Sequence, residues 1–434
     1  MAEKITVIDS IMGTGKTSWA IQYMNEHPEQ SFVYCTPFLD EVDRVKDTSG
    51  RNFYDPKRID GRKIEGFNYL LMEGRDICVT HSTFSNSNSE TLEHIANGNY
   101  CLILDEVLDI LVDFNSIATK GISKGDIRLL KSEGFITEDE YGKVKWLKNS
   151  YPDSKYADVE RLAKQGHLFY LDESLLVWQF PPEIFSAFKE IYVLTYLFNG
   201  SFLAPYFQYH HLQYDLASVT KDVNGKYRIV PHSEHRREKA TIKSLLQIHN
   251  DRSANDYKNS SLSKSWFLKA SPKKLEELQK HIYNYFRNVT KAKSSEILWT
   301  CPKDFQKLLK GKGYNVTRKM TAEEKKLSQE EIHKLEKQLS CYIPCNARAT
   351  NVYRDRTTLV YAINMFSNPY VSRYFQNKND KDGTDIHVDE DYLALGCMLQ
   401  WIWRSCIRDN KPVRIYIPST RMRTLLINWL DGKM

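Results

Sequence analysis

The chain has 434 residues, of which 41% are hydrophobic and 27% are charged. This length suits two or three domains, and the composition is that of a globular protein. No stretch approaches the ~20 apolar residues of a membrane span, so we expect no membrane partner. The formal net charge of +6 is compatible with nucleic acid without indicating it.

The cysteines argue for a reducing compartment. Cys35, Cys78 and Cys101 each lie in an apolar run, where a small buried thiol is the expected state. Cys341 and Cys345 are close in sequence, but no second pair or histidine cluster follows at zinc-site spacing. The first apolar run also begins too early for a signal peptide to precede it. We therefore expect a cytoplasmic protein with neither disulfides nor zinc.

Short apolar strands alternate with helical stretches through the first half of the chain. These strand candidates are apolar on both faces, as strands covered by helices on both sides should be. They predict a doubly wound parallel sheet of the α/β class. The predicted strands are Lys4–Ile8, Ser31–Cys35, Ile77–Thr80, Tyr100–Leu104 and Ile191–Leu194.

The alternation breaks down twice. Residues 109–171 are rich in Lys, Glu and Gly and predict an insertion, helical with a turn or small hairpin. From Tyr206 to about Ser263 the chain is polar. We therefore divide it into a first domain, 1–235, a connector, 236–263, and a second α/β domain, 264–434.

The second domain has its own pattern of strands and helices. Thr321 and Glu324 form a capping-box pattern that predicts the start of a charged helix, with Ile332, Leu335 and Leu339 as its apolar stripe. The other predicted elements are strands at Ile297–Thr300, Tyr342–Pro344 and Val413–Ile417 and helices at Leu275–Phe286 and Leu393–Arg408.

The most specific motif is the glycine-rich run from Ser10 to Thr17, which follows the first strand directly. Strand, glycine-rich turn, Lys-Thr and helix together indicate a phosphate-binding loop. Glycines let backbone N–H groups close around phosphate oxygens, and the helix N-terminus adds its positive end. Lys16 is expected at the β- and γ-phosphates and Thr17 on Mg²⁺. The remaining predicted nucleotide contacts are Gly13, Thr14, Gly15 and Ser18.

A second signal is Asp105-Glu106, which ends the apolar strand that begins near Tyr100. Beside a phosphate loop, Asp105 would hold Mg²⁺, directly or through water. Glu106 would orient and deprotonate the attacking water. The pair makes hydrolysis of ATP a better interpretation than phosphoryl transfer to a metabolite, since a small-molecule kinase has less reason to activate water.

In the order of its motifs, the chain resembles the DExx-box helicases of superfamily 2, particularly phage-encoded members. Ser10–Thr17 looks like helicase motif I, and Asp105-Glu106-Val-Leu stands in the place of the DExx tetrad. The strand-end segments resemble motifs Ia, Ic and III, and the resemblance implies nucleic-acid contacts at the first two. The residues concerned are Thr36 and Pro37, followed by Glu41 and Arg44 on a helix, Thr80 and His81, and Thr195.

The second half continues the resemblance. Ile297–Thr300 looks like motif IV, Asn346–Asn351 like motif V, and Gln400–Arg408 like motif VI. The resemblance implies nucleic-acid contacts for Trp299, Thr300, Arg348 and Thr350. It also implies that Gln400 contacts nucleotide and that Arg404 reaches the γ-phosphate. Arg408, one residue later than usual, would share a helix face with Arg404.

Bland alternatives stay open for several of these residues. Trp401 and Trp403 suit a core better than a base-stacking platform, because large aromatics dominate cores. Arg348 could form a surface ion pair instead. Thr36, Thr80 and Thr195 could simply cap or terminate their strands. No segment upstream of Ser10 is available to read adenine, so base selectivity is open.

The resemblance implies two tandem RecA-like domains that hydrolyse ATP with Mg²⁺ at the cleft between them. The expected function is an ATP-dependent helicase or translocase on single-stranded DNA or a fork, in phage replication or recombination, alongside replication proteins in the host cytoplasm. One alternative is a terminase-like packaging motor or assembly switch. It is kept open by acidic residues in a polar loop before Leu393, namely Asp380, Asp382, Asp385, Asp389, Glu390 and Asp391. A small-molecule kinase or binding module explains least.

Overall fold

The structure is a computed structural model that describes residues 4–37, 39–140, 142–148, 155–171, 175–251, 255–346 and 352–434. The strands are β1 Lys4–Asp9, β2 Phe32–Thr36, β3 Ile77–Thr80, β4 Cys101–Asp105, β5 Leu111–Asp113, β6 Ile136–Glu138, β7 Val144–Trp146, β8 Leu168–Leu171, β9 Leu175–Gln179, β10 Glu190–Thr195, β11 Tyr214–Lys221, β12 Tyr227–Pro231, β13 Leu246–Ile248, β14 Ile297–Thr300, β15 Thr358–Tyr361 and β16 Val413–Tyr416.

The helices are α1 Lys16–Glu26, α2 Leu39–Thr48, α3 Lys63–Met72, α4 His81–Phe84, α5 Ser89–Gly98, α6 Phe114–Ile117, α7 Lys124–Ser132, α8 Ala157–Lys164, α9 Pro182–Ser186, α10 Leu203–Tyr209, α11 Arg236–Leu245, α12 Lys264–Lys269, α13 Pro272–Asn284, α14 Gln306–Leu309, α15 Gln329–Leu339, α16 Pro369–Asp382, α17 Glu390–Ile402 and α18 Thr420–Leu430. Short 3₁₀ turns lie at Phe198–Gly200, Ser294–Glu296, Lys303–Phe305, Glu324–Lys326 and Cys406–Asp409, and a π-helical turn at Tyr285–Val289. Within these described ranges, no helix is both long and apolar enough to cross a bilayer.

The chain divides into two compact units. The first takes residues up to Ser10 together with Thr14–His232 and Ser367–Asp389. The second takes Ile11–Gly13, Ser233–Phe366 and Glu390–Met434.

The first unit is built on a seven-stranded sheet in the order β12-β11-β1-β10-β4-β2-β3. Every neighbouring pair is parallel except β11 and β12, which form an antiparallel edge hairpin. The five parallel strands predicted from apolar runs are all present, within two residues at each end. Their thiols Cys35, Cys78 and Cys101 are buried and free, as expected.

The predicted insertion region contains the helices α6, α7 and α8 and the small hairpin expected there, and it adds short strands of a second antiparallel sheet. Strands β5, β9 and β8 pair in that order, and β6 pairs with β7. Helix α16, far along the chain, belongs to the same unit. Its Tyr374, which is 2% exposed, donates to Oε1 of Gln179 on β9 at 2.5 Å. The second half of the sequence therefore contributes one helix to the first unit, which the strand pattern did not predict.

The second unit has a four-stranded parallel sheet in the order β13-β16-β15-β14. Its first strand and α11 both fall within 236–263, so the predicted connector is wrong in that region. Tyr342–Pro344, predicted as a strand, makes only an isolated bridge from Tyr342 to Trp299.

Two helix boundaries in the second unit lie more than one turn from those predicted. The capping box at Thr321 and Glu324 is present, but it closes only a 3₁₀ turn, and α15 begins after a second capping box at Ser328. Helix α17 ends at Ile402, because Ser405 Oγ donates to the Ile402 carbonyl at 2.6 Å and then caps the 3₁₀ turn that follows. Serine side chains compete in this way with helical backbone bonds.

Candidate functional site

The glycine-rich loop joins the carboxyl end of β1 to the first residue of α1. Gly13 and Gly15 have φ of 88° and 98°, in the left-handed region that favours glycine. A Cβ on Gly15 would also lie 2.1 Å from Cε1 of Tyr227, so the position has no room for a side chain. The glycines therefore set the path of the loop onto the helix N-terminus, where Lys16, Thr17 and Ser18 begin the first turn.

Tyr227 is held beside the loop by Gln22 of α1. Its N–H donates to Gln22 Oε1 at 2.9 Å, and Gln22 Nε2 donates to its carbonyl at 3.1 Å. The hairpin of β11 and β12 is thus fastened to α1 and flanks the loop. Nothing in the local sequence singled out Tyr227, because its position depends on the hairpin's place in the sheet.

Lys16 is the cation of the site. Its Nζ donates to the Ser10 carbonyl at 2.5 Å. Burial lowers the pKa of Lys16, while the nearby charges of Glu106, Asp9 and Asp105 act in the opposite direction. The amine therefore lies close to three carboxylates at the same edge of the sheet, and the attraction of these carboxylates favours its charged form.

The predicted acidic pair occupies the end of β4. Tyr34 on the neighbouring β2 donates its hydroxyl to Asp105 Oδ2 at 2.8 Å. Burial, the largest cause, and the charge of Glu106 together raise the pKa of Asp105 to about 7, and the bond from Tyr34 opposes the rise. Tyr34 therefore holds the Asp105 carboxyl in place, a role that no motif position indicated.

Strand β10 lies between β1 and β4 and bonds to the loops that follow both. Ser10 N–H donates to the Thr195 carbonyl at 3.0 Å, and Glu106 N–H donates to the Leu194 carbonyl at 3.0 Å. Glu106 itself has φ of 66°, an uncommon conformation for a residue with a side chain. The end of β10 thus fixes the spacing between the glycine-rich loop and the acidic pair.

A polyphosphate and its cation suit these residues chemically. The loop brings a helix N-terminus and a lysine amine to one place, as phosphate groups require. Thr17, which is partly buried, and Asp105 offer the hydroxyl and carboxylate oxygens that Mg²⁺ prefers. The predicted residues Gly13, Thr14, Gly15 and Ser18 all lie in this loop or the first turn of α1.

The predicted nucleic-acid contacts of the first unit separate into two groups. Pro37 and Thr80 line an open groove of about 520 Å³, together with Lys63. Thr36 and His81 are buried instead. His81 Nε2 donates to the Asp105 carbonyl at 3.0 Å, so we correct its predicted role to that of a link between β3 and β4. Thr36 is 0% exposed, which likewise removes it from a surface contact.

Trp299 and Thr300, predicted to contact nucleic acid, lie in the core of the second unit. Both are 0% exposed, and Trp299 Nε1 donates to the Tyr314 carbonyl at 3.0 Å. An apolar strand places its residues in the core on both faces, which explains the correction. Trp401 and Trp403 are buried, as the bland alternative had it. Arg348 and Thr350 fall outside the described residues.

The motif VI residues do not share one helix. Gln400 is partly exposed in the last turn of α17, whereas Arg404 lies beyond its end and is partly buried. Arg408 is exposed in the 3₁₀ turn Cys406–Asp409. The prediction that Arg404 and Arg408 occupy one helical face is therefore wrong, because α17 ends at Ile402, before both residues.

Comparison with known proteins agrees with this architecture. Residues 240–430 match the YonV C-terminal Rossmann-like domain, and residues 117–178 match the YonV middle domain. Two solved chains described as "XPD_APO" and "XPD_Helicase" have TM-scores of 0.52 and 0.50 and identities of 12% and 11%. Each alignment covers 99% of this chain and 95% or 94% of the solved one, and at such identities it shows the fold alone.

One relative is similar over its whole length. The SPbeta prophage-derived uncharacterized protein YonV of Bacillus subtilis (strain 168) is 36% identical over 450 residues. The alignment covers 99% of this chain and 100% of that protein. With its two parallel-sheet domains and small insert sheets, the chain thus belongs to the YonV family.

Proposed function

We propose that this protein is a nucleic-acid-stimulated ATPase that acts as a helicase or translocase. The observation that carries the proposal is that the loop after β1 and the acidic pair at the end of β4 lie at the same edge of the sheet, separated only by β10. A loop amine facing an acidic pair across one intervening strand is the arrangement that hydrolysis of a Mg²⁺-bound triphosphate needs.

Each residue has a distinct part in this chemistry. Backbone N–H groups of Gly13–Thr17 would hold phosphate oxygens, and Lys16 would neutralise charge on the β- and γ-phosphates. Thr17 and Asp105 would hold Mg²⁺, which when bound supplies further neutralisation of the phosphate charge. Glu106 accepts the proton of the attacking water. For Gln400, Arg404 and Arg408, the proposed contacts with the nucleotide rest only on the order of the motifs in the sequence.

The raised pKa of Asp105 has a direct bearing on the site. A carboxyl group with a pKa near 7 is partly protonated in the metal-free protein at neutral pH. Binding of a divalent cation favours the ionised form, so metal and proton compete for Asp105. We therefore expect Mg²⁺ to bind more weakly as the pH falls below about 7.

The nucleic acid would bind at the groove that Pro37, Thr80 and Lys63 line at the carboxyl ends of β2 and β3. Hydroxyl groups and a lysine bind phosphate oxygens without reading sequence. The fold shared with the chain described as "XPD_Helicase" supports a helicase or translocase, and the proposal that its strand is DNA comes from the resemblance of the sequence to phage helicases.

The packaging-motor alternative has less support. Asp380 lies within α16, while Glu390 and Asp391 begin α17, so the acidic residues are not all in one loop. Within the described part of the chain, no group of three or more metal-ligand side chains comes together. No specific observation therefore favours a nuclease-bearing motor.

An ATPase assay titrated with single-stranded DNA, duplex DNA and RNA tests the proposal. Lys16→Ala should lower the stimulated kcat by about 100-fold or more, since a positioned cation facing developing charge is lost. Glu106→Gln should abolish hydrolysis while nucleotide binding persists. Glu26→Gln, at the exposed end of α1, is the matched control and should behave as wild type. Stimulated hydrolysis that survives both site variants would refute the proposal.

A further inference from the structure

Positive charge is concentrated in one stretch of the second unit. Residues 264–340 contain 18 lysines and arginines against nine aspartates and glutamates, a net charge of +9. The whole chain has a net charge of only +6, so the rest of it is net acidic. An uneven distribution of this size indicates an anionic partner for the basic surface.

Part of this surface forms a groove between α13 and the turn after α14. The groove has a volume of about 410 Å³, which is within the range of sites for small ligands. Gln279 Nε2 on α13 donates to the Lys310 carbonyl at 2.8 Å and ties the two walls together. Gly311 lines the groove together with side chains that are polar or basic apart from one aromatic ring, namely Gln279, Lys280, Tyr283, Asn284, Asn288 and Lys312.

The turn that presents Lys312 is fixed by its two glycines. A Cβ on Gly311 would lie 2.4 Å from Cε1 of Tyr314, whose ring is fully buried. Gly313 has φ of 90°, and a Cβ there would lie 2.8 Å from the Arg287 guanidinium carbon. The turn therefore packs closely on both sides, and Arg287 lies next to Lys312 at the edge of the groove.

The positive charges of the groove are available to a ligand. Within the described residues, Lys312 and its neighbours outside the groove lining, Arg287 and Lys310, form no ion pair. Lys280 pairs with Glu276 at 2.7 Å, but both side chains are more than half exposed, at 71% and 59%. Such exposed pairs are worth little and give way to a competing anion. No carboxylate lines the groove itself.

The groove also contains an exposed aromatic ring. Tyr283 is 40% exposed, although large aromatic side chains are usually covered. A π-helical turn, Tyr285–Val289, follows α13 directly at this place, and such turns are frequent at functional sites. A ring among lysines and amides suits a nucleobase, which stacks on the ring while its phosphates contact the cations.

We infer that this groove is a second binding site for single-stranded nucleic acid, separate from the carboxyl edge of either sheet. Phosphates contact Lys280, Lys312 and Arg287, and a base stacks on Tyr283. A single strand is favoured over a duplex because only unpaired bases expose their faces to an aromatic ring. The inference rests on the proposed function for its ligand class, since both require the protein to bind a single strand.

Binding of labelled oligothymidine and oligouridine by the full chain without nucleotide, followed by fluorescence anisotropy over a series of salt concentrations, tests the inference. The double variant Lys280→Glu/Lys312→Glu should bind at least about tenfold more weakly. The slope of log affinity against log salt concentration should become shallower by about 1.4, because each of the two lost phosphate contacts on a single strand contributes ~0.7. The matched control is Lys258→Glu/Lys433→Glu, which makes the same charge change at exposed lysines elsewhere in the second unit.

The aromatic contact has its own variants. Tyr283→Ala should weaken binding by about fivefold or more, while Tyr283→Phe keeps the stacking face and should bind as wild type. Loss of affinity for oligothymidine and oligouridine alike shows contact with features that DNA and RNA share, and loss for one alone identifies the strand. Equal binding by wild type, the double-glutamate variant and Tyr283→Ala overturns the inference. Polyglutamate has charge but no bases, so the inference is also overturned if polyglutamate displaces the strand equally well from wild type and from Tyr283→Ala.

The two proposals fail in different ways. If ATP hydrolysis is stimulated but the groove variants bind the strand as wild type does, the groove proposal is refuted and the ATPase proposal stands. If binding depends on Lys312 and Tyr283 but nucleic acid does not stimulate the ATPase, the ATPase proposal is refuted and the groove proposal stands. Lys16→Ala serves as an internal control, because it should lower stimulated hydrolysis and still bind the strand in the groove with wild-type affinity.

Discussion

The carboxyl edges of the two parallel sheets differ in what they expose to ligands. In the first unit, the strand ends carry partly buried charge, with Lys16 close to Asp105 and Glu106. In the second unit, Trp299 and Thr300 at the end of β14 are fully buried, and the charge lies instead on the outer surface around α13. The first sheet thus has its charged residues at the strand ends, whereas the second unit has them on an outer helix. The end of a strand therefore indicates a binding site only where its side chains are accessible to a ligand.

Trp299 gives the strongest test of this difference. Trp299→Ala removes a fully buried indole and should lower the free energy of unfolding by about 3–5 kcal/mol. Chemical denaturation followed by circular dichroism measures the change, and ATP binding at low denaturant should be retained by the first unit. A variant that keeps wild-type stability but loses affinity for a single strand would show that the edge of the second sheet is open.

Asp105 tests the charged edge of the first sheet through pH. Its folded pKa of about 7 lies above that of an unfolded aspartate, so its contribution to stability is present below about pH 4 and is lost as the pH rises through 7. Asp105→Asn should therefore stabilise the metal-free protein at pH 8, by about 2 kcal/mol once the full shift of ~4 kcal/mol is discounted for solvent access.

Thermal unfolding of the metal-free protein at pH 5 and pH 8 measures the gain. The difference between Asp105→Asn and wild type should be smaller at pH 5. A gain that is the same at both pH values would mean that the Asp105 carboxyl is not desolvated in the folded protein.

Tyr34 sharpens the same point. Tyr34→Phe keeps the buried ring but removes the hydroxyl that donates to Asp105, so the pKa of Asp105 should rise further, by about half a unit to one unit. The acid limb of the pH profile of kcat/KM for ATP should move upward accordingly. Tyr23→Phe removes a hydroxyl that donates to Glu190 Oε2 at 3.0 Å and serves as the control with an unshifted limb. An unshifted profile in Tyr34→Phe would mean that the acid limb does not report the ionisation of Asp105.

Ser328, the N-cap of α15, gives the smallest effect. Ser328→Ala removes the side chain that caps α15 and should lower stability by about 1 kcal/mol without changing ATP hydrolysis. Thr321→Ala, which uncaps only a 3₁₀ turn, should have a smaller effect. A larger loss in Thr321→Ala would mean that α15 starts at the first capping box in solution.

Local sequence was sufficient for the strands of the first sheet. Their apolar runs are buried on both faces, so a stretch such as Phe32–Thr36 is readable without knowledge of its neighbours. Edge elements gave no such signal. The hairpin of β11 and β12 is partly exposed, and β13 has only three residues, so both were hidden in a stretch that reads as polar.

Contacts across the sheet were beyond local reasoning. Tyr34 and Asp105 are 71 residues apart, and their hydrogen bond depends on the register that pairs β2 with β4. The same applies to Trp299, whose apolar strand is equally consistent with a core and with a motif position at a strand end. Motif order thus located the nucleotide loop and the acidic pair, while the burial of each neighbouring residue required the folded sheet.

Helix α16 has a consequence for how the protein is made. The first unit includes Ser367–Asp389, so its fold is incomplete until the ribosome has synthesised most of the 434 residues. Tyr374 is the residue that then covers Gln179, which is itself only 1% exposed in the finished unit. Domains usually fold in turn as they leave the ribosome. Here the surface around β9 must wait for a late helix, because Tyr374 follows Gln179 by 195 residues.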